Sequence, residues 1–430
     1  MAEEKRQEEE FSFVKEKIKR QRFYQNKTFR RVIFQLALAV VCGVVACLAF
    51  VVSRPWMEER FQKDERQEIS LPREEEKEEE KEEEEPAVVP EEPEPPKEQI
   101  VITESVELEL EDYRKLYGKL KGVAEECAKS LVTVTAASND TDWFNETYES
   151  REQTSGLLVG NNGVELLILT VYSRVQSADQ LQVTLVNHSS VDAVLKNYDT
   201  VTDLAILSVN LADLPEGTMD QIQMANLGGS RNMRAGDLVI AAGSPAGVAG
   251  SVLYGNLVAS GHTVSVIDGE YELLLTDMPK ASESSGVLVN LEGEIVGLLE
   301  QGYQGAGSRD TLTAYGISGV KDVIEHLSNS QDLVYIGITG ADVTQERAEA
   351  QSLPVGVYIT GVEMNSPAMD AGIQQGDVIV EISGQAITSI SEIQKMLLKF
   401  SREQVIQVLV MRLGKEGYKE IPCSVTLDRL

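Results

Sequence analysis

Residues 276–299 read TDMPKASESSGVLVNLEGEIVGLL, a loop carrying Ser282, Ser284 and Ser285 that runs into a strand–turn–strand pattern. A serine hydroxyl becomes a working nucleophile when an imidazole takes its proton and a carboxylate orients that imidazole. The chain holds only three histidines, so the choice of base is narrow. His188 falls in the turn NHSS, His262 in the turn SGHT, and His326 at the end of an expected helix over 320–327. Polar residues occupy such turns without any catalytic role. Lys280 precedes Ser284 by four residues and opens a Ser–Lys alternative, although a loop lysine facing solvent is the plainer reading. Cys42, Cys47, Cys127 and Cys423 form no CxxC pair and share no ligand spacing with histidine, so neither a metal nor a cofactor is expected.

The elements that must position these serines are mostly strands. LVTVTA, SGLLVG, ELLILTV, QLQVTLVN, AVLKNY, LAILSVN, DLVIAAGS, GNLVASG, YELLLTD, GVLVN and IVGLLEQ are short β-rich runs separated by Gly, Asn and Asp. That spacing fits a barrel or sandwich rather than α/β layering. Ahead of them Leu116, Leu120, Val123 and Cys127 recur at helical spacing within 111–130. Further on, Ser389 to Glu392 forms a capping-box pattern that starts a helix over 390–400, with Ile393, Met396, Leu397 and Phe400 on its apolar stripe.

The N-terminal quarter has a different character. Val32–Val52 is an apolar run whose clearly polar member is Gln35. At about 1.5 Å per residue it spans a hydrocarbon core of about 30 Å. The stretch 15–31 before it is basic, and 58–114 after it carries 24 acidic side chains against 8 basic ones, out of a net charge of −31. The positive-inside rule then places the N-terminus in the cytoplasm and the rest outside. The division expected is a basic tail over 1–31, a transmembrane signal anchor over 32–53 and an acidic Glu/Pro-rich stalk over 54–105. The stalk buries too little apolar surface to order itself and is expected to stay extended and solvated. The acidic balance argues against a nucleic-acid partner.

Five segments resemble the HtrA (Do-like) family of trypsin-like, PDZ-bearing serine proteases. ILTVYSRV (168–175) is similar to the family's I-L-T-x-x-H-V-V, and VTDLAIL (201–207) to its S-D-x-A-x-L. AGDLVIAAGSPAG (235–247) and YGISGVKDVIEHL (315–327) match two further segments, and 276–299 the active-serine segment. The resemblance implies two six-stranded β-barrels over 106–328 with the reaction site in the cleft between them. It puts Ser284 at the nucleophile position, Asp203 at the carboxylate position, and Ser173 where the base should be. None of the three histidines lies where that fold points a side chain into the cleft. Ser282 and Ser285 stand where the family has glycines, and the loop is one residue shorter than the family's, which weakens the expected oxyanion hole. Loss of the base alone costs on the order of 10⁶ in turnover.

Residues 329–430 resemble an α+β PDZ domain. GVYITGVEMNSPAMDAGIQQGDVIVEISGQAI (356–387) carries the likeness, and Tyr335, Ile336, Gly337 and Ile338 match the carboxylate-binding loop and the strand after it. The resemblance implies that an extended peptide adds a strand there, its terminal carboxylate held by loop N–H groups. Helix 390–400 then forms the other wall, with Met396 or Leu397 lining a side-chain pocket.

The reading that follows is a mainly β, membrane-anchored protease homologue with a degenerate site, binding unfolded polypeptides or protein C-termini at the cell envelope. The alternatives are an active envelope serine endopeptidase using Ser284 in protein quality control, and a structural subunit oligomerising with an active paralogue. The family often forms trimers, so a homo- or hetero-oligomer is a further expectation.

Overall fold

The computed structural model describes residues 67–72, 109–141, 147–300, 302 and 310–430. All of them belong to one compact unit, 66–430. The apolar run 32–52 lies outside the described residues. Among the described residues no helix is long and apolar enough to cross a membrane.

Helix α1 (Leu110–Ala128) leads into six strands: β1 (Leu131–Thr141), β2 (Thr147–Asn161), β3 (Glu165–Val171), β4 (Gln180–Thr184), β5 (Ser190–Asp199) and β6 (Leu204–Asn210). They close into an antiparallel barrel in the order β1-β2-β3-β6-β5-β4. A second barrel follows from β7 (Leu238–Ser244), β8 (Ser251–Val266), β9 (Gly269–Pro279), β10 (Ser285–Val289), β11 (Ile295–Glu300) and β12 (Thr311–Gly316), in the order β10-β11-β12-β9-β8-β7. Helix α2 (Ile317–Ser328) ends this half.

The strand β3, ELLILTV, is apolar throughout because it feeds two cores at once. Leu166 and Ile168 point into the first barrel, whereas Leu167 and Leu169 point into a layer between the barrels. Strand β6 repeats the division, with Ala205 and Leu207 inside the barrel and Leu204 and Ile206 in the layer. The second barrel sends Ile240, Ala242, Val287 and Val289 to the same layer, and α2 seals it with Ile317, Val320, Ile324 and Leu327. Each such side chain contributes roughly 1.5–3 kcal/mol on burial, so this layer fixes one barrel against the other and sets the cleft. On α1 the expected stripe is only half buried. Leu120 and Cys127 are inside, but Leu116 is exposed, because the first turns of the helix run past the edge of the core.

A short segment of the region expected to form a stalk lies on this frame. Residues 67–72 are docked through the half-buried Ile69 and Leu71, while Gln67, Glu68, Ser70 and Pro72 stay exposed. The Asn329 carboxamide accepts from Ile69 N–H (2.8 Å) and donates to Ile69 C=O (2.8 Å), while Lys321 Nζ donates to Pro72 C=O. Ile69 and Leu71 pack on the inter-barrel layer.

The C-terminal part holds β13 (Val334–Tyr335), β14 (Ile338–Val343), α3 (Gln345–Gln351), β15 (Gly356–Val362), α4 (Pro367–Asp370), β16 (Val378–Ile382), β17 (Gln385–Ala386), α5 (Ile390–Leu397), β18 (Val405–Gly414), β19 (Gly417–Thr426) and β20 (Asp428–Arg429). Its main sheet runs β14-β15-β16-β18-β19, so β14 is an edge strand. Helix α5 starts on the expected capping box: Ser389 Oγ accepts from Glu392 N–H, and Glu392 accepts from Ser389 N–H. It ends at Leu397, three residues short of the expected end, where Lys399 and Phe400 N–H turn back to the carbonyls of Met396 and Leu397.

Candidate functional site

Two places carry the residues singled out above: the cleft between the barrels, and the groove between β14 and α5. In the cleft, Asp203 sits in the left-handed region (φ 58°) just before β6. Its carboxylate accepts from Ser173 N–H at 2.6 Å and from Ser173 Oγ–H at 2.7 Å, and its carbonyl accepts from Tyr172 N–H at 2.9 Å. Both carboxylate oxygens are thus spent on the tight turn 172–174. The Tyr172 ring stacks on Tyr198 at 4.2 Å, and the Arg429 guanidinium lies over the far face of that pair.

On the other rim, Ser284 is buried at 1 % exposure. Its hydroxyl donates to Pro245 C=O at 2.6 Å, with Ala281 C=O a second acceptor at 2.9 Å, and accepts from Ala281 N–H at 2.9 Å. The Ser284 N–H, which an oxyanion hole would aim at substrate, donates instead to Ala281 C=O at 3.2 Å. Ser285 Oγ accepts from Ser155 N–H at 3.0 Å, and Ser155 Oγ donates to Ser244 Oγ at 3.1 Å, so the serine in a glycine's place ties the two barrels together. Arg174 crosses the cleft: it pairs with Glu152 at 3.5 Å and donates to Ser282 C=O at 3.3 Å.

Among the described residues neither Ser284 nor Asp203 has an imidazole partner. His188 is exposed in a left-handed turn, and His262 is exposed on β8. His326 is spent between Asp322 C=O (2.8 Å) and Leu398 C=O (2.9 Å). No group of three or more His, Cys, Asp or Glu side chains suited to a metal occurs among the described residues. The cleft therefore brings Ser173 and Asp203 together and holds Ser284 on the other rim, with no imidazole bonded to any of the three among the described residues. Pro245, Ala281 and Ser155 complete this network. Their contributions are backbone groups and a serine in an ordinary strand, which residue type alone does not signal.

In the groove, Tyr335 to Ile338 form a loop of converging N–H groups in which Gly337 adopts φ +92°. A side chain at 337 would strike Ser366, so only glycine fits there. The three N–H groups of Ile336, Gly337 and Ile338 donate at 2.6, 2.9 and 2.8 Å to one carboxylate, that of Asp268 in the β8–β9 turn. Asp268 N–H in turn donates to Ile338 C=O at 2.7 Å. Burial pushes the Asp268 carboxyl up to about 6, against the three N–H donors that pull it down and with the Glu363 charge adding to the rise. A small cavity beside it is lined by Ile267, Tyr271, Tyr335, Gln394 and Leu397. Met396 packs into the domain core and does not line the cavity, whereas Gln394 and Leu397 of α5 do.

The comparisons with known proteins agree with both halves of this geometry. Residues 154–298 match the trypsin-like peptidase domain family, and residues 334–422 match the PDZ domain family. A serine endoprotease DegS from Haemophilus influenzae is 30% identical over 291 residues, covering 65% of this chain and 78% of that protein. The chain belongs to the HtrA family. Another HtrA relative, a probable periplasmic serine endoprotease DegP-like from Hahella chejuensis, is 32% identical over 274 residues, 62% of this chain. The chain spans 56% of that relative's length. The solved HtrA-type protease AlgW with decapeptide superposes with a TM-score of 0.53 at 21% identity, covering 72% of this chain and 98% of that one, and shares the fold.

Proposed function

We propose that this HtrA-family protein is a pseudoprotease whose working site is the peptide groove of its PDZ domain. The observation that carries the reading is the state of Ser284: its hydroxyl and its N–H are both consumed inside the loop, while Asp203 holds Ser173 in place of an imidazole. A serine whose proton has no acceptor base and whose oxyanion donor is turned inward lacks both features of acyl transfer. The PDZ site needs no such chemistry, since an edge strand and a nest of N–H groups bind an extended peptide with a free carboxylate. The partners are polypeptide C-termini or unfolded proteins.

On the same reading, residues 32–53 anchor the chain as a single-pass protein, 54–105 form a stalk, and 106–328 and 329–430 act outside the membrane at the cell envelope. The apolar run 32–52 and the charge difference across it support that placement.

Incubating the purified full chain with a fluorophosphonate probe tests the first part. The expected result is no labelling. Labelling abolished by Ser284→Ala would establish an active endopeptidase. Labelling that appears only on mixing with an active paralogue, and on the paralogue alone, would favour the oligomer-subunit alternative.

A further inference from the structure

We infer that the PDZ groove is occupied by the protein's own barrel: Asp268 is the resident ligand of the 336–338 loop, and an incoming C-terminus must evict it. The inference rests on the reading that this groove accepts peptide C-termini. A C-terminal residue bound in such a groove offers a carboxylate to the loop N–H groups and a backbone N–H to the edge strand. Asp268 offers both. Its carboxylate takes all three donors of Ile336, Gly337 and Ile338, and its N–H reaches Ile338 C=O at the start of β14.

The rest of the turn follows it into the groove. Asp268 N–H bonds to Ile338 at the start of β14, and Ile267 and Asp268 line the same cavity as Gln394 and Leu397 of α5, so the β8–β9 tip touches both walls of the groove. Gly269 has the Gln394 side chain so close that a Cβ there would sit 2.8 Å from it. Asp268 itself is held at φ 57°, a conformation that an aspartate tolerates, so the carboxylate reaches the loop without a glycine. A carboxylate used only to join two domains has no reason to take every donor of a terminal-carboxylate nest. Tethering makes this internal ligand effective at high local concentration, and the groove's apparent affinity for a free peptide falls by the fraction of molecules that are open.

The test uses the full chain and a pool of fluorescein-labelled decapeptides ending in free Val, Leu, Ile or Phe carboxylates, with amidated twins as controls. Asp268→Asn sets an amide NH2 against the loop's N–H donors, where either oxygen of the carboxyl accepts, and still tolerates the left-handed turn, and Asp268→Gly removes the whole side chain. The expected result is weak binding to the native chain and binding at least tenfold tighter to both variants, in each case abolished by amidation. Amide hydrogen exchange at 336–338 should speed up in both variants without peptide, and thermal melting confirms that they remain folded. If the native chain binds the free-carboxylate pool as tightly as the variants do, self-occupation is overturned while the groove reading stands. If no peptide binds to the native chain or to either folded variant, the groove reading falls and the inference falls with it.

Discussion

At the scale of single residues, Asp203 and Ser284 serve local structure. Asp203 caps the 172–174 turn with two charge-assisted bonds to Ser173. Removing them in Asp203→Ala should lower stability by about 2 kcal/mol, and Asp203→Asn by about 1, since Asn keeps one acceptor and tolerates φ 58°. Urea midpoints for the two variants check this, and a midpoint unchanged in both would refute the capping role. On the pseudoprotease reading, a one-residue repair is insufficient. Ser173→His returns an imidazole to Asp203, yet Ser284 Oγ and N–H remain bonded to Pro245 and Ala281. The expected outcome is no gain in fluorophosphonate labelling, and strong labelling of Ser173→His would show that the base alone was missing. The scarcity of histidines was legible in the sequence, because a histidine is a residue type. The closed loop was not legible, because its acceptors are the carbonyls of Pro245 and Ala281, which any residue could supply.

At the scale of elements, eleven of the twelve barrel strands stand out as β-rich runs between turns. The exception, β12, reads TLTAYG after a Gly- and Ser-rich stretch. Its inward positions are only Leu312 and Ala314, and barrel closure between β11 and β9 is what makes it a strand. The stalk shows the same limit from the other side. Ile69 and Leu71 are two apolar residues in a charged region, too few to signal order, and what holds them is Asn329, 260 residues on from Ile69, and Glu325, 254 residues on from Leu71. Asn329→Ala removes both bonds to the Ile69 backbone and should cost about 1–3 kcal/mol. The measurement is hydrogen exchange at Ile69 together with thermal melting. Exchange at Ile69 as slow as in the native chain would mean that packing on the inter-barrel layer suffices without Asn329.

At the scale of the whole molecule, the link between barrel and PDZ domain passes through a charge that ionises at a cost. Nothing in VIDGEY marks Asp268 as more than a hairpin-turn aspartate, since its partners lie about seventy residues on. Around its seat stand Glu363 and Asp199 and the phenols of Tyr271 and Tyr335, and no basic side chain lines the cavity among the described residues. With the docked carboxyl raised to about 6 and the freed one near 3.8, the docked state binds a proton more tightly than the undocked state. Docking is therefore strongest below about pH 4 and loses stability as pH rises through about 6, a change on the order of 3 kcal/mol for a shift of this size. At neutral pH the plug is at its weakest, which suits a ligand that must be displaced. Asp268→Asn cannot titrate, so the comparison isolates this one carboxyl. The melting temperature of the native chain, taken relative to Asp268→Asn, should rise steadily between pH 7.5 and pH 4. A fall over that range would mean that the three N–H donors outweigh burial, and that acid, rather than neutral pH, opens the groove.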